Sequence, residues 1–322
     1  MQYKKLGKTN IEISQIGFGC WPIGGGWGDE NDERDIQALH NAFDKGITFY
    51  DTAMGYGGGR SEEIIGKAFK KMRDKVVIAT KVGPKANPML SVHEAYPAEW
   101  IIKCTEDSLK RLGTDYLDMQ QIHCWRDHYT DFPEWYEAMT KLKEQGKIRA
   151  IGVSAEDWEW DGTLRIVESD KIDSVQCIYN IFDQQPKEKL YPATIKHKTG
   201  ILVRVSLFEG LLSGKLRPGH TFVEGDWRGK FLTEERLKEA SPRLNALEEL
   251  LDDETPTLAA LGLKFCLSHD AISTVLVGMT NPKHVDANCD VSNGKYLSDE
   301  KLAKLAKHAW KHNWSYPWNK PK

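Results

Sequence analysis

The chain has 322 residues, 40% of them hydrophobic and 28% charged, a balance that excludes disorder and supplies ample apolar surface for a core. A net charge of -3 leaves no basic surplus for a nucleic-acid partner, and no apolar run approaches the ~20 residues of a membrane span. Residues 1 to 14 are too polar for a signal peptide, so the expected location is the cytoplasm, with neither nucleic acid nor membrane as partner.

In chain order, short runs at Tyr3 to Leu6 and Ile11 to Ile13 flank the turn-forming Gly7-Lys8-Thr9-Asn10, which predicts a small hairpin ahead of the main fold. Short β-rich runs then alternate with longer stretches of helical period: Ile16–Cys20, Thr48–Thr52, Val76–Val82, Tyr116–His123, Ile148–Ser154, Ser174–Tyr179, Ile201–Ser206 and Thr274–Gly278. Eight βα units in an α/β chain of this length predict a (β/α)8 TIM barrel. Between the strands, Ile36, Leu39 and Phe43, and likewise Trp135, Met139 and Leu142, recur at helical spacing and predict inward faces. The long connection Leu216 to Thr233, with Pro218, Gly219, Gly225 and Gly229, is expected to be an active-site flap. An extra C-terminal helix, Ser298 to Trp310, and the aromatic tail Trp314, Tyr316, Trp318 lie outside the repeat and should pack on the barrel. No linker or low-complexity segment marks a boundary, which predicts one domain over residues 1–322. Six cysteines without Cys-x-x-Cys spacing are expected to be free thiols, Cys124 among them as a buried small hydrophobe.

Chemistry in such a barrel gathers at the C-terminal strand ends. There the sequence places Asp51, Lys81 and His123, with Tyr56 in the loop after Asp51. An ionisable group at the end of an apolar strand is costly unless paired, so each residue alone reads as an ordinary cap, packing group or ion pair, and the four together as a reaction centre. A lysine beside a tyrosine is expected to lower the phenol pKa, an aspartate to orient the lysine, and His123 to hold a carbonyl oxygen. The glycine runs Gly24-Gly25-Gly26 and Gly55-x-Gly57 to Gly59 lack the strand-to-helix setting of a dinucleotide fingerprint and read as loop flexibility.

Asp51-Thr52-Ala53-x-x-Tyr56-Gly57 with Ser61-Glu62-x-x-x-Gly66, Ala79-Thr80-Lys81, Gln121-Ile122-His123, Gly152-Val153-Ser154, Gln176-x-x-Tyr179-Asn180 and Gly210-Leu211-Leu212-Ser213-Gly214-Lys215 together resemble the aldo-keto reductase family over nearly the whole chain. The resemblance implies reversible reduction of an aldehyde or ketone by direct hydride transfer from a nicotinamide, without a metal. It implies Tyr56 as general acid and base, tuned by Lys81 and Asp51, with His123 orienting the carbonyl. Cofactor contacts are implied for Asp51, Ser154 and Gln176, for Val205, Ser206, Leu207, Gly210, Leu211, Ser213 and Lys215, and for Gly278, Thr280, His284 and Asn288. NADP(H) is the favoured cofactor; Gly278, Thr280 and His284 stand where Lys or Arg often meets a 2′-phosphate, with Lys283 nearby, so NAD(H) or dual use is the alternative.

Trp21, Trp27, Trp125, Tyr129, Trp227 and Arg228 fall in loops that wall a pocket, with Trp21 and Trp125 as the leading substrate contacts for a small carbonyl or alcohol. The competing readings are a nicotinamide-binding regulatory subunit with slow residual reductase chemistry, like the channel-associated members of the same family, and a metal-dependent barrel enzyme using Asp51 and His123 as ligands. Lean termini and a complete set of four residues favour an enzyme, and Lys81 between the two ligands disfavours a cation.

Overall fold

The structure, a computed structural model, describes residues 1–28, 30–86 and 91–317. The hairpin forms as β1 (Tyr3–Lys5) against β2 (Glu12–Ser14), antiparallel, with Gly7 left-handed at the turn. Its apolar residues Leu6, Ile11 and Ile13 are buried in one cluster with Phe49, Val77, Ala79, Met119, Ala150, Leu202 and Leu276. The hairpin therefore plugs the N-terminal end of the barrel.

Eight parallel strands follow: β3 (Ile16–Gly19), β4 (Phe49–Asp51), β5 (Val77–Val82), β6 (Leu117–Trp125), β7 (Ile148–Ala155), β8 (Ser174–Ile178), β9 (Gly200–Arg204) and β10 (Ile272–Val277). They pair in chain order, and β10 returns to β3 to close the barrel. The fold is the expected (β/α)8 barrel, and every predicted strand is present with ends within two residues of those read from sequence. The apolar-rich runs form strands here because both faces are covered, one by the barrel interior and the other by helices.

The helix Glu134–Glu144 buries Trp135, Met139 and Leu142 as predicted. In Asp32–Asp44, capped by Asn31 accepting from the Arg34 N–H, the buried face is instead Ala38, Leu39 and Ala42. Ile36 and Phe43 there are only partly covered. None of the described helices is long and apolar enough to cross a membrane.

At the C-terminal side one connection gains local structure and one predicted helix needs correction. The connection 216–233 contains a short helix, Arg228–Phe231, and Asp226 bridges to Trp27 in the loop after β3, so the segment is tied across the barrel mouth. The last helix spans only Asp299–Ala306, capped by Ser298. Trp310 leaves it to donate its N–H to the Phe182 carbonyl, and Trp314 and Tyr316 pack against Phe231. The shortening follows from that aromatic cluster, which holds the backbone after Ala306 in a non-helical path; Trp318 lies outside the described residues.

Candidate active site

Alternation along the strands decides which side chains enter the barrel mouth. Phe49, Ala79, Met119, Ala150 and Leu202 lie in the interior cluster. Two residues further along each strand come Asp51, Lys81, Gln121, Gly152 and Arg204. One more step gives His123 and Ser154, and Ser154 pairs in register with Gln176 of β8. The polar groups predicted at successive strand ends therefore face inward at the C-terminal end of the barrel.

Three of the four candidate catalytic residues meet at one atom. The Lys81 Nζ donates to Asp51 Oδ2 at 2.7 Å and to the Thr52 carbonyl at 2.7 Å, and lies 3.1 Å from the Tyr56 hydroxyl. Lys81 is 0% exposed and Asp51 3%, so this ion pair is removed from water and must be satisfied internally. Gln121 and Gln176 complete it by donating their side-chain amides to Asp51 Oδ1 at 3.2 and 2.9 Å. His123 stands beside this group, its ring centroid 6.4 Å from that of Tyr56 and steeply inclined to it, with its carbonyl accepting from the Tyr96 hydroxyl. A register shift in β6 between Ile122 and Trp125, with Cys124 left-handed, sets the chain direction at His123.

Tyr56 is presented by a turn whose glycines are obligatory. Gly57, Gly58 and Gly59 all have positive φ, and a Cβ on Gly57 would sit 2.3 Å from the Gly24 carbonyl oxygen. The glycine run thus lets the loops after β3 and β4 touch, which is more specific than the loop flexibility expected from sequence. Ser61 donates to the Cys20 carbonyl and accepts from Thr52, while Glu62 accepts from Thr80 and from Arg111. The Ser61-Glu62 pair therefore clamps the helix after Tyr56 to Cys20, just past β3, and to the strand carrying Lys81.

Electrostatics separate the roles of these groups. Burial raises the Tyr56 pKa, and although Lys81 pulls it back, the net direction is upward. This corrects the expectation of a lowered phenol pKa: burial outweighs the ammonium, and the resting side chain is the protonated acid. Burial opposes the Lys81 charge, but Asp51 and Tyr56 outweigh it and hold the ammonium above its ordinary pKa. Burial first, then the charges of Lys81 and Arg204, push His123 well below its ordinary value, so the imidazole is neutral. Cys124 is pushed up to about 12 by burial, in keeping with an inert thiol. Both Asp51 oxygens are engaged by cationic or amide donors, which argues against the ligand role of the metal reading.

The profile described as Aldo/keto reductase family matches residues 15–309. The chain belongs to this family. Aldo-keto reductase YhdN of Bacillus subtilis (strain 168) is 36% identical over 307 residues, which cover 93% of this chain and 91% of that protein. NADH-specific methylglyoxal reductase of Escherichia coli (strain K12) is 31% identical, covering 89% of this chain and 92% of its own. Among solved structures, the glycerol dehydrogenase AKR11B4 from Gluconobacter oxydans superimposes with a TM-score of 0.78 at 28% identity, over 95% of this chain and 94% of that one.

As an aldo/keto reductase, the chain brings most of its predicted cofactor residues to the same rim. The Ser154 hydroxyl and the Gln121 carbonyl oxygen are buried there without a hydrogen-bond partner among the described residues. Val205, Glu209 and Gly210 are left-handed, and the segment Phe208–Ser213 winds as a tight turn. Ser206 is committed to the Leu276 carbonyl, Leu211 is buried apolar packing, and Ser213 accepts from the Lys215 N–H, so this stretch offers backbone more than side chains. Gly278 admits the Trp27 ring, which a Cβ would meet at 2.9 Å. Thr280 precedes and His284 and Asn288 belong to the helix Pro282–Asp290, whose cap Asn281 accepts from the Lys283 N–H.

The substrate-side predictions divide. Trp21 is 36% exposed and packs edge-on against Tyr56, ring centroids 4.8 Å apart, so it reaches the mouth. Trp125 does not: it is 0% exposed, donates its indole N–H to the Gly162 carbonyl, and packs edge-on with Trp135 and Tyr129. The β6 register shift turns this ring outward, beneath the helices. Tyr129 is buried with it. Arg228 is bound through two nitrogens to Asp226 and stacks on Trp27, so its charge is spent locally. Sequence reasoning assigns no role to two mouth residues, Gln121, which enters only within a family motif, and Arg204; each has the inward parity of an apolar residue two positions earlier, which is the available signal.

Proposed function

We propose that the protein is a cytoplasmic NAD(P)H-dependent reductase of aldehydes or ketones, reversible to the matching alcohols, with the whole chain working as one barrel domain. The observation that carries the reading is the Lys81 Nζ bonded to Asp51 and to the Tyr56 hydroxyl in a water-poor mouth. Tyr56, kept protonated by burial, gives its proton to the carbonyl oxygen as the carbon is reduced. Lys81 stabilises the phenolate left behind, and Asp51 keeps that ammonium in place. Neutral His123 holds the same oxygen and limits the geometry of attack. The reduced nicotinamide, when bound, supplies the hydride. Gln176, Ser154 and Asp51 suit its carboxamide and ribose, since Ser154 retains a buried, unpartnered hydroxyl.

NADP(H) is placed first and NAD(H) second. Lys283 at the start of the helix Pro282–Asp290 is a cation suited to a phosphate, and burial, then the charge of Lys215, lower the pKa of His284 on the same helix. A relative described as NADH-specific keeps NAD(H) in view.

Titration of the intrinsic tryptophan fluorescence with NADPH and with NADH tests the binding half of this proposal, because Trp21 and Trp27 border the mouth. Saturable quenching by both, tighter for NADPH, is the expected result. No quenching by either dinucleotide, or none that aldehyde addition converts into dinucleotide oxidation, contradicts it.

A further inference from the structure

Arg204 is the last residue of β9, two positions beyond the interior Leu202, whose register partner is Gln176. Its guanidinium is fixed from one side only: Nη2 donates to Asp157 Oδ1 at 2.8 Å and to the Ala155 carbonyl at 3.2 Å. The Nε is buried and finds no acceptor among the described residues. Guanidinium nitrogens donate and never accept, and an unmet buried donor is expensive, so the arrangement calls for an oxygen supplied from outside the chain. The side chain as a whole keeps 20% of its surface exposed.

Local backbone strain supports a selected placement. Val205, a β-branched residue, has φ of 57°, and Phe208 and Glu209 are left-handed as well. Asn180 holds this turn by donating to the Val205 carbonyl while its own oxygen accepts from the N–H groups of Phe182 and Asp183. Strain held by such bonds concentrates where a side chain must be presented to a ligand. The charge of Arg204 is felt at both Tyr56 and His123, the two groups that grip the reacting oxygen.

We propose that Arg204 selects substrates carrying an uncharged oxygen, hydroxyl or oxo, on the carbon next to the reacting carbonyl, with the guanidinium donating to that second oxygen while Tyr56 and His123 hold the first. The proposal rests on the reductase reading. A carboxylate is the less suitable acceptor, because Asp157 already neutralises the guanidinium and the half-buried Glu209, which accepts from Tyr316 at 2.5 Å, lies within reach of the same charge. The oxygen belongs to substrate and not to the dinucleotide, and the test separates these sources.

The test compares kcat and KM for the matched pairs glycolaldehyde and acetaldehyde, and glyceraldehyde and propanal, in wild type, Arg204→Lys and Arg204→Met, alongside NADPH titration and thermal melting. Arg204→Lys keeps a cation against Asp157 and so protects folding, but it lacks the Nε donor. Wild type should prefer the hydroxylated member of each pair by about tenfold or more in kcat/KM. Both variants should lose most of that preference, chiefly through KM, with dinucleotide affinity within about twofold of wild type. Equal turnover of the paired aldehydes by wild type, or equal loss on both in the variants, overturns the assignment. A variant that loses dinucleotide affinity but retains the preference assigns the Nε to the cofactor and overturns it too. No dinucleotide-dependent turnover of any aldehyde by wild type is a different failure, that of the reductase reading itself.

Discussion

Replacing Tyr56 with phenylalanine is expected to lower kcat for carbonyl reduction by about 10³-fold or more while NADPH and NADH dissociation constants stay within about twofold of wild type. The substitution removes one hydroxyl and leaves the ring that packs against Trp21, so the loop keeps its support. What disappears is the proposed proton donor beside Lys81, and the adjacent His123 is neutral, with a pKa well below the ordinary value. The same groups fix the sign of the pH dependence. Burial raises the Tyr56 pKa, so reduction by wild type should hold level through neutral and mildly alkaline pH and fall only as the phenol ionises above the ordinary tyrosine range. Alcohol oxidation, which needs the phenolate, should rise with pH over the same interval. A fall in reduction centred on the ordinary histidine range would instead make the imidazole the donor.

Substituting methionine for Lys81 is expected to act twice. Asp51 is left 3% exposed with only the amides of Gln121 and Gln176 for company, and an unpaired buried charge costs about 3–5 kcal/mol of stability. The phenol also loses the group that opposes its burial, so its pKa rises further and the phenolate produced in each turnover is uncompensated; a loss of about 10²-fold or more in kcat is expected. The double variant Lys81→Met with Asp51→Asn separates the two effects. Removing both charges should restore most of the lost stability, read as the urea midpoint, without restoring turnover. Recovery of activity in the double variant would show that Lys81 serves folding alone.

Much of the fold was legible because it depends on local signals that repeat. Strands such as Val76–Val82 and Ser174–Tyr179 are short β-branched runs separated by helical stretches, and the closed barrel uses each where it was read. Asp51, Lys81 and His123 were legible for a related reason: each lies within the last three residues of a strand, and a barrel brings all strand ends to one rim. Long-range side-chain choices were less accessible. Nothing near Trp125 reveals that a register shift after Ile122 turns its ring away from the mouth and onto Trp135. Arg204 carries no motif of its own, and its parity with the interior Leu202 is the one sequence signal that points it inward. The direction of the Tyr56 shift was misjudged because the pairing with Lys81 is visible in sequence order, whereas the depth of burial that outweighs it is a property of the packed mouth. The Ser61-Glu62 motif carried family resemblance without a stated task; the structure gives it one, in the bonds to Cys20, Thr80 and Arg111.

The measurement closest to the chemistry follows an isotope: reduced nicotinamide deuterated at its transferable position is incubated with an aldehyde that the protein consumes, and the alcohol is analysed for deuterium. One deuterium on the carbinol carbon with wild type, and no alcohol above background with Tyr56→Phe, is the predicted outcome. Alcohol carrying only solvent hydrogen at that carbon, or formed equally well without the phenol, would contradict direct reduction at the Tyr56 centre.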